Sequence, residues 1–267
     1  MRIKNIIFFV ISVIMLFPML WMFLLSIKSN AGQVTSILEF FSGGFSIRNY
    51  YDIFNSNNFF NLILNSVFVS SVVTILNIIF CLLVAYVLAR KTNKINKLIF
   101  ISTLSVLIIP PHIIMIPLYR LMVNFGWIDT YYALILPWAI TPFGIFLLKQ
   151  YIEKIPLELE DAAKIDGASE FYILLKVILP MCKPVIIVLA IYTFLGNWNS
   201  FLFPFLFTNS ENMFTLPVGL TFFFGKQSID WGQLMAGASI AAIPMIALYL
   251  VFKKQIVQGM LYGALKE

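Results

Sequence analysis

Residues 156–184 read PLELEDAAKIDGASEFYILLKVILPMCKP, a charged island in an otherwise apolar chain. The island holds Glu158, Glu160, Asp161, Asp166 and Glu170, and with Glu153 just before it these make six of the twelve acids of the chain. Its pattern spells two short helices. Pro156 suits a first helical position. Glu158, Glu160 and Asp161 fall in the first turns, where carboxylates favour the helix dipole. Gly167, after Asp166, can take the left-handed conformation that ends a helix. Ser169 can cap the next helix, with Glu170 in its first turn. Pro180 and Pro184 then break it. A first helix of about ten residues is too short to hold in water alone, so it needs a surface to lie on. Leu159, Ala162, Ala163 and Asp166 share one face at i, i+3, i+4 and i+7. That face fits a groove on a partner protein or the chain's own flank.

The rest of the chain says where this island sits. Of 267 residues, 61% are hydrophobic and 11% charged, with 27 Phe. A soluble domain carries about 25% charged residues, so the class expected is a polytopic, all-α membrane protein. A crossing helix needs about 20 apolar residues. Six runs meet or approach that length, at roughly 6–27, 62–89, 98–121, 131–149, 184–207 and 235–252, within one transmembrane domain over residues 1–267. The first run starts with Arg2 and Lys4, but it is too long for a signal peptide and lacks a small-x-small cleavage site, so it reads as a retained span.

Lys and Arg set the orientation. With the N-terminus inside, the inner segments hold fourteen basic residues and the outer segments four: Lys28, Arg48, Arg120 and Lys226. Both termini and the 150–183 island are therefore expected in the cytoplasm. The net charge of +6 reads as loop charge of this kind; no basic face offers itself to nucleic acid. Trp127 and Trp231 fit an interfacial belt. Cys81 and Cys182 read as buried thiols at different depths, unpaired with one another.

The central portions of the runs lack Asp, Glu, Lys and Arg. An ion-coupled transporter needs an intramembrane ionisable relay, and this chain has none in place. It also lacks the G-x-x-x-x-G-K-[ST] phosphate loop of an ATPase, any metal-ligand spacing and any recognisable catalytic set. It is expected to be no enzyme and to bind no cofactor itself. Pro110, Pro111 and Pro117 should bend or interrupt the third run, leaving His112 as a pore group or a cap on freed carbonyls. Two neutral polar clusters stand out. Asn65, Ser66, Ser70, Ser71, Thr74 and Asn77 mark the second run. Asn197, Trp198 and Asn199, beside Phe194, Phe201 and Phe203, mark the fifth. Amides next to aromatic rings suit a sugar, and small polar residues also serve as interhelical hydrogen bonds.

Asp161-Ala162-Ala163-x-x-x-Gly167, with Leu179-Pro180 after eleven intervening residues, resembles the EAA loop of bacterial ABC-importer permeases. Ile165-Asp166-Gly167-Ala168, Trp198-Asn199-x-Phe201-Leu202, Leu216-Pro217-x-Gly219-Leu220, Gln258-Gly259 and Gly263-Ala264-x-Lys266 resemble the maltose-type, carbohydrate-importing branch. Asp161 stands where that family has Glu, which keeps the charge and shortens the reach. The resemblance implies a type I ABC-importer permease fold of six helices, with a cytoplasmic coupling helix in segment 156–180 between spans 4 and 5. It implies ATPase coupling through Asp161, Ala162, Ala163, Gly167, Leu179 and Pro180, a tail contact to the ATPase through Gln258 and Gly259, and a substrate pathway that includes Asn197, Trp198 and Asn199. It further implies a second homologous permease, two ATP-binding cassette subunits that use ATP and Mg, an extracytoplasmic sugar-binding protein, and a place in the lipid of a bacterial cytoplasmic membrane. A passive channel or facilitator for a small neutral solute is the alternative; it would give the island no task.

Overall fold

The computed structural model describes residues 2–29, 31–33, 37–42, 44–55, 58–91, 93–223 and 229–264; at 2–3, 33, 37–38, 42 and 254–264 it describes the backbone alone. The described chain is almost entirely helical. The helices used below are α1 (Arg2–Ser26), α2 (Arg48–Asn55), α3 (Phe59–Arg90), α4 (Lys94–Val106), α5 (Met115–Asn124), α6 (Tyr131–Ile135) and α7 (Pro142–Ile152). They continue with α8 (Glu158–Ile165), α9 (Glu170–Met181), α10 (Lys183–Trp198), α11 (Leu202–Phe207), α12 (Leu216–Leu220) and α13 (Trp231–Ala264).

Among the described residues, four helical stretches are long and apolar enough to cross a membrane: Lys4–Ser26, Phe59–Arg90, Tyr131–Ile152 and Trp231–Lys253. A fifth passes only as a bent pair, α9 with α10, folded by 78° at Cys182. The third apolar run is not a continuous helix. It is split into α4 and α5 by the turns at 107–114. Proline lacks the N–H that a helix needs and crowds the preceding turn, so Pro110-Pro111 interrupts the run as their sequence demands. Short i→i−3 bonds replace the helical ladder there, from Ile109 N to Val106 O and from Ile113 N to Pro110 O. Pro117 causes no break because it falls in the first turn of α5, where no donor is required. The His112 ring is exposed, and its backbone carbonyl accepts a bond from Met115 N.

The chain forms two compact units, Met1–Asn65 with Phe214–Ala247 and Ser66–Met213 with Leu248–Glu267. In the first, Asn49 ties the end of α1 to α2: its Nδ2 donates to Ser26 O at 2.8 Å and to Lys28 O at 3.0 Å. Ser26 Oγ also lies 2.7 Å from Tyr50 Oη. Gly219 of α12 sits directly on Leu62, where any Cβ would collide with the leucine methyls. Asn65 Nδ2 donates to Phe214 O at 2.9 Å.

The second unit has two apolar centres. Cys81, Leu82, Ala85, Leu88 and Ala89 of α3 meet Ile145, Leu148 and Ile152 of α7, Ile173, Leu174 and Ile178 of α9, and Val185 and Leu189 of α10. Val69 and Val73 of α3 meet Met122, Ala133–Ile135, Phe203 and Phe207. Cys81 and Cys182 are free, buried and part of the same cluster. At 1.5 Å per residue, the 32 residues of α3 extend about 48 Å. That exceeds the roughly 30 Å hydrocarbon core, so the end carrying Arg90 can clear the apolar layer.

Candidate coupling segment and polar pathway

Helix α8 begins at Glu158, two residues beyond Pro156, because the first carbonyl it uses belongs to Leu157. Glu160 N and Asp161 N both donate to it, at 2.9 and 3.0 Å. The helix is eight residues long, shorter than its spacing suggested, and ends in a Schellman closure. Gly167 takes φ +81°. Its N–H donates to Lys164 O, and the N–H of Ala168 donates to Ala163 O, both at 2.9 Å. A Cβ on Gly167 would meet nothing within 4 Å, so conformation, not space, calls for glycine here. Ser169 then caps α9, its Oγ accepting from Tyr172 N at 3.2 Å.

The two alanines do not act together. Residues one apart on a helix point about 100° from each other. Ala162 is exposed, whereas Ala163 and Ala168 pack against the apolar cluster of their own unit. The single face expected for Leu159, Ala162, Ala163 and Asp166 is therefore divided. The outward side carries Leu157, Leu159, Asp161, Ala162 and Asp166, and ends in Ile165, which is 87% exposed. Phe171 and Tyr172 continue the exposed apolar strip onto α9. Asp161 reaches Lys164 across 3.4 Å, both largely in solvent, a pair of little energetic weight.

The adjacent acids divide as well. Asp161 faces out, and Glu160 is buried, 2% exposed. Glu160 Oε1 accepts from Arg90 Nε at 2.6 Å and Oε2 accepts from Tyr86 Oη at 3.2 Å. Arg90 Nη2 also donates to Ile155 O at 3.0 Å. Sequence reading placed Glu160 among the dipole-favouring acids and missed this grip. The signal available was the pair of neighbouring carboxylates, which cannot share one face.

Leu179 packs half-buried against the same cluster, and Pro180 beside it is exposed. The helix leading to them widens at Leu174–Ile178 into a π turn, with Leu179 N donating to Leu174 O. Turns of this kind are rare and concentrate at functional sites.

On α3, Asn77 is spent on packing. Asn77 is fully buried; its Nδ2 donates to Trp138 O at 3.1 Å and lies 3.2 Å from Thr141 Oγ1, while its Oδ1 accepts from Thr193 Oγ1 at 3.5 Å. Thr141 caps α7 by accepting from Gly144 N. Gly144 lets α7 approach α3 closely: a Cβ there would lie 2.7 Å from Cys81 Sγ and force a shift. Asn77 thereby joins α3, α7 and α10 through one amide.

The polar end of α10 holds on to itself. Asn197 Nδ2 donates to Thr193 O at 2.8 Å, and Asn199 Nδ2 donates to Leu195 O at 3.0 Å. Trp198 is 2% exposed and stacks on Phe194 at 6.0 Å. Of the three, Asn199 alone presents an exposed side chain. An open groove of about 450 Å³, unforeseen from sequence, runs along Leu98, Ser102, Val106, Thr141 and Ile145. Gln258 and Gly259 lie on the backbone of α13, outside the residues whose side chains are described.

In the same unit, Asp129 takes φ +60°, an uncommon conformation for a residue with a side chain. Its Oδ1 accepts from Asn209 N at 2.8 Å and Ser210 N at 3.0 Å, and its own N–H donates to Phe207 O at 2.7 Å. Partial burial raises the carboxyl pKa, but the backbone donors of Ser210 and Asn209, together with the Ser210 side chain, outweigh it and hold the group below its ordinary value.

Residues 77–261 match the family model described as binding-protein-dependent transport system inner membrane component. The arabinooligosaccharides transport system permease protein AraQ of Halalkalibacterium halodurans is 33% identical over 259 residues, 96% of this chain and 93% of that protein. The trehalose/maltose transport system permease protein MalG of Thermococcus litoralis is 33% identical over 261 residues, again 96% and 93%. Among solved structures, a chain of a bacterial ABC transporter involved in the import of the acidic polysaccharide alginate superposes with a TM-score of 0.85 at 21% identity, covering 95% of both chains. The likeness to that structure concerns the fold.

Proposed function

Because the chain belongs to the family of inner membrane components of binding-protein-dependent transport systems, we propose that it is one permease subunit of an ATP-driven importer of oligosaccharides or related sugars. The observation that carries this reading is the outward face of α8: a short helix, stopped by Gly167, fixed from behind through Glu160 and bare in front. Relatives named for arabinooligosaccharide and trehalose/maltose transport support the substrate class.

In this reading α8 is the coupling helix, and it docks on a cytoplasmic ATP-binding cassette subunit. Asp161, Ala162 and Ile165 make the contact. Ala163, Gly167, Leu179 and Pro180 hold the contact surface in shape. Two such subunits consume ATP and Mg, a second permease completes the pathway, and an extracytoplasmic binding protein delivers the sugar. The chain sits in the cytoplasmic membrane with both termini inside and crosses six times, its third span broken at Pro110-Pro111. The tail at Gln258 and Gly259 reaches towards the ATPase pair. Asn199 faces the pathway, and Asn197 and Trp198 shape it from behind. The permease does no chemistry; it alternates between outward- and inward-open states while its partners hydrolyse ATP.

The test is reconstitution of the whole transporter in proteoliposomes, with maltose, trehalose and arabinotriose as probes. Uptake of at least one probe against its gradient, dependent on ATP and on the binding protein, is expected. Equilibration of the probes without ATP would replace this reading with a passive facilitator.

A further inference from the structure

A push from the ATPase on α8 has to reach the spans. The Arg90–Tyr86–Glu160 contact supplies a route. Tyr86 and Arg90 are i and i+4 on α3, so both side chains leave the same face of one long helix. They take one oxygen each of a single carboxylate. A two-point grip fixes the orientation of the carboxylate as well as its distance. Arg90 adds a third point at Ile155 O, on the stretch leading into α8. The helix is thereby held both at its approach and in its first turn. The side chains of Arg90 and Glu160 are 11% and 2% exposed. A buried pair contributes little net stability, since desolvation offsets the attraction, but it fixes geometry, and stripping it of one partner is costly. Arg90 also stands in the last turn of α3, where a cation is favoured by the helix dipole.

We propose that Glu160, gripped by Arg90 and Tyr86, is the positioning residue that makes α8 and the span α3 move as one body, so that displacement of α8 becomes displacement of the pathway. The proposal rests on the importer reading and adds to it the element that receives the motion. Asp161 and Ala162 touch the partner; Glu160 touches none, and acts only through Arg90 and Tyr86.

The experiment uses the complete reconstituted transporter and whichever of maltose, trehalose or arabinotriose the wild type accumulates fastest. Two quantities are read: ATP hydrolysed, and sugar accumulated per ATP. Glu160→Gln is expected to retain both permeases and both ATPase subunits on purification and to keep ATP turnover within about twofold of wild type. Sugar moved per ATP is expected to fall by about tenfold, inside the range of coupling between distant sites. Tyr86→Phe, which removes one hydrogen bond and no charge, is expected to give a smaller loss in the same ratio. The exchange Arg90→Glu with Glu160→Arg is expected to recover part of the ratio. An unchanged ratio in Glu160→Gln overturns the proposal. Loss of assembly in both Glu160→Gln and Tyr86→Phe also overturns it, by making the contact a folding element. Failure of the wild type to accumulate any probe would instead defeat the importer reading itself.

Discussion

Two of the polar stretches in this apolar chain use their polarity in opposite ways. The segment 158–170 turns Asp161, Ala162 and Ile165 outward, packs Ala163 inward and buries Glu160 against Arg90. The segment 193–200 turns mostly inward: Thr193 bonds Asn77, Asn197 bonds its own helix and Trp198 is buried on Phe194, while Asn199 bonds its own helix but stays exposed. The first is built to meet another surface. The second is chiefly built to end a helix within this one. Polarity inside a membrane chain thus marks a contact only where the backbone has already satisfied itself by other means, as α8 does with its Schellman closure.

The largest test of this contrast is at Trp198. Trp198→Ala removes a buried ring and is expected to cost about 3–5 kcal/mol of stability, whereas Asn199→Ala should stay within about 0.5 kcal/mol while changing uptake. Thermal unfolding in detergent, followed together with transport of maltose, separates the two. Equal effects on stability would erase the distinction between the neighbours.

The alanine pair comes next. Ala163→Arg forces a charge towards the apolar cluster and is expected to cost about 3 kcal/mol or more, so the protein is lost before docking is tested. Ala162→Arg should fold normally and lose ATPase binding, read by co-purification. Reversed results would mean that the faces of α8 are assigned the wrong way round. Gly167→Ala is milder: space is free, but the left-handed backbone costs a side chain about 1–2 kcal/mol. Gly167→Asn, which tolerates that conformation, should recover part of the loss in the same melt.

Much of the first stretch was legible in advance. Gly167 and Ser169 are local signals, and helix ends are written in local chemistry. The interruption of the third run was legible for the same reason, since proline acts where it stands. The grip on Glu160 was not, because Arg90 lies seventy residues away and no spacing rule brings α3 to the island. Nor did spacing show that Ala163 faces inward, since a face is defined only once the helix has something to lie on. At the fifth run the composition read correctly as polar and aromatic, but composition carries no direction, so Trp198 could not be placed inside or outside.

A further modest effect is expected apart from both stretches, at Asp129. Its carboxyl is held below the ordinary value of 3.8, so its contribution is fully present above that pH and is lost as pH falls through the lower folded-state value. Asp129→Asn tolerates the left-handed backbone and retains an acceptor. It should cost about 1 kcal/mol and remove that acid-dependent step from a pH series of melts, leaving ATPase docking untouched. A change in docking would show that the contrast between inward and outward polarity is incomplete.

The most direct measurement is sugar accumulation by the reconstituted transporter carrying Ala162→Arg, beside wild type, with ATP and binding protein present. The account predicts uphill uptake by the wild type, and neither uptake nor bound ATPase in the variant despite an unchanged melting temperature. Uphill uptake by the variant at the wild-type rate would contradict it.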